Sequence, residues 1–257
     1  MNIQNEISLM YNSGVSIRQI SKITFLSPPK IYKNLKEANI IPNRGFPDTT
    51  CKIATKLTSE QIEIVDGLLL GDGSLEMRGK TPKISLTTIQ KEWANSVMNR
   101  LPFSFRFHTQ PARIRKTKTG VIINSKETYQ IQSKVDVSLG NFYARWYPKD
   151  KIIPNDLVIT PIVMREWFYG DGSTTRDENR VKLTFCTDGF NLNDCEILAA
   201  KIFSQTGVKI SIRLLHKNPR LYVSKIKSVN LLLDFMKQNT EILPCFLYKW
   251  KYATYAR

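Results

Sequence analysis

Apolar and polar residues alternate strictly in several short stretches of this chain. Ile84 and Leu86 alternate with Lys83, Ser85 and Thr87, and Val181, Leu183 and Phe185 with Lys182, Thr184 and Cys186. Ile210, Ile212 and Leu214 alternate with Lys209, Ser211 and Arg213, and Leu221 and Val223 with Arg220, Tyr222 and Ser224. Ile131, Val135 and Val137 are set against Gln130, Gln132, Lys134 and Asp136. A period of two predicts strands that lay one face on helices and turn the other toward something polar. Between or after these strands, residues 90–100, 191–206 and 226–238 predict helices. Two mostly apolar segments, opening at Thr58 or Ser59 and at Thr160 before Pro161, predict two more. The chain after residue 58 thus reads as one plan used twice: helix, two strands, helix, two strands and a final helix.

The first 45 or so residues have a different pattern, that of short helices. Ile7, Met10 and Tyr11 have helical spacing, and Asn12-Ser13-Gly14 stops that run. Ser16 and Gln19 fit a capping box, with Ile17, Ile20 and Ile23 as the inner stripe of a second helix. Ser27 before Pro28 suits the start of a third, with Ile31, Leu35 and Ala38 inward and Lys30, Lys33 and Lys36 outward. Helix, tight turn and basic helix resemble a helix-turn-helix module. Residues 41–60 carry two prolines, a glycine and little periodicity, as a linker does. The division expected is a helix-turn-helix-like DNA-binding module at 1–45, a linker at 46–57, and two halves at 58–150 and 151–257.

Charge narrows the partner. The chain has 38 Lys and Arg against 22 Asp and Glu, a formal net charge of +16 over 257 residues. A surplus of that size suits a polyanion, nucleic acid above all, and not a small neutral substrate. Hydrophobic residues at 42% are enough for a packed core. The four cysteines form no C-x-x-C pair and His108 and His216 lie far apart, which predicts neither a structural zinc site nor a disulfide framework. No apolar run approaches a membrane span, and the start has no signal-peptide plan, so a soluble intracellular protein is expected. Among the outward strand positions named above, Asp136 is the only acid. That bias makes Lys83, Ser85, Thr87, Gln130, Gln132, Lys134, Lys182, Thr184, Lys209, Ser211, Arg213, Arg220, Tyr222 and Ser224 candidate contacts to DNA phosphates and base edges, with Arg113 and Arg115 counted among them.

The tetrapeptide Gly-Asp-Gly-Ser occurs twice, at 71–74 and 170–173, each time closing one of the apolar helical segments. An Asp at a helix C-terminus sits against the negative end of the dipole. If the halves pack about a pseudo-two-fold axis, Gly67, Gly71 and Gly170 let the leading helices approach, and Asp72 and Asp171 meet. Two such carboxylates repel unless a cation lies between them. Mg²⁺ suits one or two carboxylates, water and phosphate oxygens.

Residues 65–73 (VDGLLLGDG) and 164–172 (MREWFYGDG) resemble the two motifs of a single-chain LAGLIDADG homing endonuclease, and the resemblance extends over about residues 58–252. It implies an α+β fold in which two αββαββα halves form a saddle of antiparallel sheets on the DNA major groove. It also implies metal-dependent cleavage of both strands of a long double-stranded target by a monomer. Asp72 and Asp171 become ligands of Mg²⁺ or Mn²⁺, with Gly71 and Gly170 beside them in the metal site. Segments 149–154 (KDKIIP) and 243–249 (LPCFLYK) match the basic positions near each scissile phosphate, which gives Lys151 and Lys249 the role of stabilising transition-state charge or polarising the attacking water. Thr87 and Cys186 fall where a polar residue helps organise water, and cysteine departs from the family pattern there. Gly67 in the first motif stands against bulky Glu166 in the second, which implies an asymmetric helix interface.

Two other functions fit the same scaffold: a maturase that folds its own intron RNA, and a non-catalytic DNA-binding regulator. The first needs the basic sheets without both aspartates. The second has no use for negative charge where DNA passes.

Overall fold

The computed structural model describes residues 3–12, 15, 17–38, 40, 54–116, 122–177, 180–215, 218–238 and 241–251. The chain divides into two compact units, residues 1–49 and 50–257.

The first unit holds α1 (Ile3–Asn12), α2 (Ile17–Thr24) and α3 (Pro28–Glu37). Ile7, Ile20, Ile31 and Leu35 are fully buried and form its core. Lys30, Lys33 and Lys36 face outward. Ile23 does not join the core and is 56% exposed. Three-residue steps in a helix drift by about 60° each, so a residue three beyond Ile20 has left the inner stripe. Ile17 and Ala38 are only half-buried. Ser27 occupies the N-cap of α3 in extended conformation but makes no side-chain cap bond. Pro28 and Pro29 follow it, so one of the two amides a cap oxygen normally reaches is missing. The Ser16 capping box lies outside the described residues, as do residues 41–53 of the expected linker.

The second unit runs in order through α4 (Ser59–Leu70), β1 (Gly73–Arg78), β2 (Thr81–Thr88), α5 (Lys91–Arg100), β3 (Phe105–Gln110), β4 (Arg113–Lys116), β5 (Ile122–Ser125), β6 (Thr128–Ser133) and α6 (Leu139–Trp146). The pattern then repeats as α7 (Pro161–Asp171), β7 (Gly172–Asp177), β8 (Arg180–Cys186), α8 (Leu192–Thr206), β9 (Ser211–Leu215), β10 (Asn218–Val223) and α9 (Ile226–Lys237). A 3₁₀ turn at Pro244–Phe246 and the short α10 (Leu247–Trp250) close the described chain. The two antiparallel sheets have matching orders, β1-β2-β6-β3 and β7-β8-β10-β9. The β4–β5 ribbon is an insertion that prolongs the first half alone.

Register shows how closely the halves repeat. On the helix-facing side, the row Gly73, Leu86, Ile131, Phe107 in the first sheet corresponds to Gly172, Phe185, Leu221, Ile212 in the second. The fold is therefore the predicted α+β pair of αββαββα halves.

The motif helices are the centre of the unit. Residues from Ile64 to Leu70 in α4 and from Val163 to Tyr169 in α7 are buried on every side, as expected for helices enclosed by both sheets and each other. Thr58 caps α4 in a full capping box with Gln61, and Thr160 caps α7 with Pro161 behind it. The aromatic run of α7 ties the halves together: Tyr169 meets Trp93 of α5 edge-on at 6.0 Å and stacks on Phe246 at 4.3 Å, while Trp167 stacks on Phe185 at 4.2 Å.

Three expected strand positions are corrected. The alternation read over 130–137 stops at Ser133, where β6 ends. Asp136 is buried and does not belong to the outward face. Its carboxylate accepts bonds from the Thr55 amide and hydroxyl and from the Ser138 amide and hydroxyl. Val137 is 43% exposed. Leu214, expected inward, is 66% exposed; it lies near the tip of edge strand β9, opposite Pro219 and past the cover of the helices.

Burial alone would raise the Asp136 carboxyl, but its four donors win and hold it below the usual carboxylate range. A depressed carboxyl stabilises the fold above its unfolded value and loses that contribution as pH falls through the folded one. Asp136→Asn puts an amide N–H against those donors and is expected to cost about 2 kcal/mol at pH 7. The deficit should shrink by pH 3, measured by guanidinium unfolding at both pH values.

Candidate active site at the ends of the motif helices

The repeated Gly-Asp-Gly has a separate steric reason at each position. A β-carbon on Gly67 would lie 2.7 Å from both the Glu166 Cβ and the Val163 carbonyl oxygen, so α4 and α7 touch there backbone to side chain. At the carboxyl ends, a β-carbon on Gly170 would lie 3.2 Å from Oδ2 of Asp72. Gly71 has slightly more room, 3.4 Å to the Trp167 carbonyl oxygen. Gly73 and Gly172, just past the aspartates, admit strands folding back on their own helices. A β-carbon would meet the Leu68 carbonyl at 2.7 Å in one and overlap the Phe168 ring in the other. The aspartates are thereby delivered to one place from two distant segments.

Asp72 follows the C-cap glycine of α4 and keeps exposed surface, and Asp171 is the last residue of α7. Burial pushes the Asp171 carboxyl up to about 6, with the nearby Asp72 adding to the rise and Lys151 and Lys249 opposing it. Asp72 is raised as well, by burial, against the pull of Lys249 and Lys151. The same burial brings both lysines down to about 8, while the two carboxylates hold them up. Two acids and two bases from four chain segments therefore feel one another.

The lysines are not equivalent. Lys249 is buried and donates from Nζ to the carbonyls of Phe168 at 2.7 Å and Tyr169 at 2.8 Å. It satisfies orphan carbonyls at the C-terminus of α7 and offsets the negative helix end that otherwise disfavours Asp171. Lys151 is half-buried, with Nζ over the Phe190 ring at 5.1 Å. Asp72, Thr87, Gln90, Gly170 and Lys249 line a shared cleft of about 290 Å³. Cys186 lies at the matching point of the second half, its thiol raised mainly by burial, with Arg220 opposing and Asp171 contributing.

The polar sheet faces extend from this point in transverse rows. The first sheet aligns Ser74, Ser85, Gln132 and Arg106, then Thr87, Gln130 and His108. The second aligns Ser173, Thr184, Tyr222 and Ser211, then Cys186, Arg220 and Arg213. Lys182 pairs in register with Thr175. Arg213 lies over the Tyr222 ring at 5.4 Å, and Arg220 is held by Asp188 at 2.8 Å. Lys209, Ser211, Tyr222 and Ser224 share a cavity of about 410 Å³ at the sheet edge. Lys134 is exposed past the end of β6, and Arg113 is exposed on β4. Arg115 lies on β4 as well, with its side chain outside the described residues.

Two expected contacts are covered. Lys83 is buried and paired with Glu76 at 3.2 Å, and Ser85 is buried beside the Ser74 hydroxyl at 3.0 Å. Arg106, His108 and Gln110 on β3, and Ser173 on β7, share the polar faces although the sequence reading missed them. The signal was present in β3, where Phe103, Phe105 and Phe107 alternate with Ser104, Arg106 and His108.

Among the described residues, no group of three or more His, Cys, Asp and Glu is placed to hold a metal ion. No helix there is long and apolar enough to cross a membrane.

Comparison with known proteins adds three likenesses. The uncharacterized protein MJ1098 of Methanocaldococcus jannaschii is 31% identical over 170 residues, 65% of this chain and 64% of that protein's length. The solved structure of the homing endonuclease I-WcaI bound to its DNA recognition sequence aligns with a TM-score of 0.60 at 20% identity, over 89% of this chain and 96% of that one. I-DmoI in complex with DNA and Mn aligns with a TM-score of 0.43 at 14% identity, over 71% and 99%. The model of the LAGLIDADG DNA endonuclease family matches residues 62–231, which include both Gly-Asp-Gly motifs and most of both sheets. With two motif helices abutting through glycine and carrying their aspartates to one point, the chain belongs to the LAGLIDADG DNA endonuclease family.

Proposed function

We propose that the chain is a site-specific endonuclease that cuts both strands of a long double-stranded DNA target. The observation that carries this reading is the convergence of Asp72 and Asp171, one from each half, with Lys151 and Lys249 beside them. A pure DNA binder has no use for two crowded carboxylates on the path of a polyanion.

The donor set fits a hard divalent cation: two carboxylates with room for water and phosphate oxygens, and no soft ligand among them. Asp72 and Asp171 would hold Mg²⁺ or Mn²⁺. Such an ion supplies an activated water and stabilises charge on the attacking and leaving oxygens of a phosphodiester. The chain's own residues do the rest. Lys249 spends two of its three N–H bonds on helix carbonyls, which fixes Nζ and leaves one donor for a phosphate oxygen or a water. Lys151, with no such carbonyl bond among the described residues, can move a proton near pH 8 or meet phosphate charge while protonated. The polar rows of the two sheets fix the duplex in register across the cleft.

The reading is tested by incubating the full chain with a pool of randomised duplexes and Mg²⁺ and sequencing the ends produced. Double-strand ends at one consensus are expected. Binding without cut ends, under Mg²⁺ and Mn²⁺ alike, would leave only a binder.

The lysines should separate in their effects. Lys151→Met is expected to slow cleavage about 10²-fold with little change in stability. Lys249→Met should slow cleavage similarly and also cost about 2 kcal/mol of stability, because two buried carbonyls lose their donor. Single-turnover rates and thermal melts on both variants check the difference.

A further inference from the structure

Nothing in the site above uses the N-terminal unit. We propose that this unit is a second, separate duplex-DNA-binding site, with α3 lying in a major groove. Three observations carry this inference together.

First, the unit has its own core and its own bracing. Ile7, Ile20, Ile31 and Leu35 are fully buried among themselves. Val15 N–H bonds to the Met10 carbonyl at 3.0 Å, Gln4 reaches the Asn34 carbonyl at 3.4 Å, and Ile40 N–H closes on the Leu35 carbonyl at 2.8 Å.

Second, α2 and α3 are joined by only Phe25, Leu26 and Ser27, and that turn is fixed. Phe25 has φ of 54°, a left-handed conformation that a bulky residue holds only when its surroundings impose it. The Ser21 hydroxyl donates to the Leu26 carbonyl at 2.7 Å, and Leu26 N–H reaches Thr24 Oγ1 at 3.4 Å. Leu26 packs on the core, so the angle between the helices is held from inside.

Third, the outward arc of α3 is basic. At roughly 100° per residue, Ile31 and Leu35 share one stripe and Lys33 falls opposite it, flanked by Lys30 and Lys36. All three are exposed, and Glu37 is the only acid on the helix. The Lys33–Glu37 pair is 3.8 Å apart and open to water, too weak to occupy the lysine.

A helix of about 10–12 Å diameter fits the roughly 12 Å major groove of B-DNA. The deep, narrow major groove of A-form RNA does not admit it. A helix with an exposed lysine arc therefore selects duplex DNA, and the binding energy it supplies is mainly phosphate neutralisation.

The test uses the full chain without divalent cation, so that it does not depend on cleavage. Affinity for a mixed-sequence 30-bp DNA duplex is measured against salt for the wild type and for the triple variant Lys30→Ala, Lys33→Ala, Lys36→Ala. The expected result is a salt slope shallower by about 2 to 3, an unchanged melting curve, and the slope restored when the same positions carry Arg. A sheet variant, Lys182→Ala with Arg213→Ala, separates this inference from the endonuclease reading. If the sheets carried no DNA, that variant would leave the slope untouched while the α3 triple still flattened it. An unchanged slope in the α3 triple overturns the inference. So does a defect confined to stem-loop RNA.

Discussion

Asp72→Asn and Asp171→Asn are each expected to lower DNA cleavage by at least about 10³-fold, corresponding to about 4 kcal/mol of lost transition-state stabilisation. Binding to the same duplex should be equal or tighter. The sign follows from the site. Asp171 titrates near 6 because burial and the nearby Asp72 both oppose its ionisation. Removing either charge relieves that crowding and reduces repulsion of phosphate. Stability should therefore hold or rise, which separates a catalytic role from a structural one: a structural aspartate costs stability when replaced, and a ligand in a repulsive pair does not. Single-turnover cleavage, a gel-shift titration and a thermal melt on each variant give the three readings. Cutting that persisted in both variants would remove the carboxylate pair from the mechanism. Efficient intron RNA splicing by the double variant would favour a maturase.

The aspartates were legible because their neighbours are glycines with steric duties. A glycine after each aspartate is forced by a strand turning back onto its own helix, at Leu68 and at Phe168. That constraint is local and writes itself into the sequence twice. The strand alternation was legible for the same reason, since each sheet has one face on the motif and flanking helices. What stayed hidden depends on contacts between distant segments. Lys83 and Ser85 have the right period for a polar face, yet Glu76 and Ser74 on the neighbouring strand cover them. Asp136 looks like an outward acid until Thr55 reaches it from 81 positions away. The β3 row with Arg106 and His108 was missed although Phe103, Phe105 and Phe107 alternate plainly with Ser104, Arg106 and His108. Lys249 is named in the sequence only through the likeness of its segment to the family, and its bonds to the carbonyl end of a helix some 80 positions earlier come from the fold alone.

Glu166→Ala is expected to destabilise the second unit by about 3–5 kcal/mol, more than any other single change in the helix interface. Glu166 is fully buried at the third position of the second motif, where the first motif has Gly67. Its carboxylate accepts from Trp93 Nε1 at 2.9 Å and from Arg100 Nη1 at 2.5 Å. Both donors belong to α5 of the other half, so the residue pins the motif helix of its own half to α5 of the other. Its bulk is possible only because Gly67 leaves room: the Glu166 Cβ lies where a Gly67 side chain would stand. Truncation removes the partner of a guanidinium whose charge, against the cost of its own burial, is held mainly by Glu166. Glu60 at 3.5 Å is exposed and compensates little. Glu166→Gln keeps the volume and one acceptor and should cost less than half as much, so the ratio of the two measures charge against packing. Denaturant unfolding of the full chain gives both values. A loss below about 1 kcal/mol for Glu166→Ala would mean that aromatic packing of Trp93 on Tyr169 holds the halves in register without the ion pair.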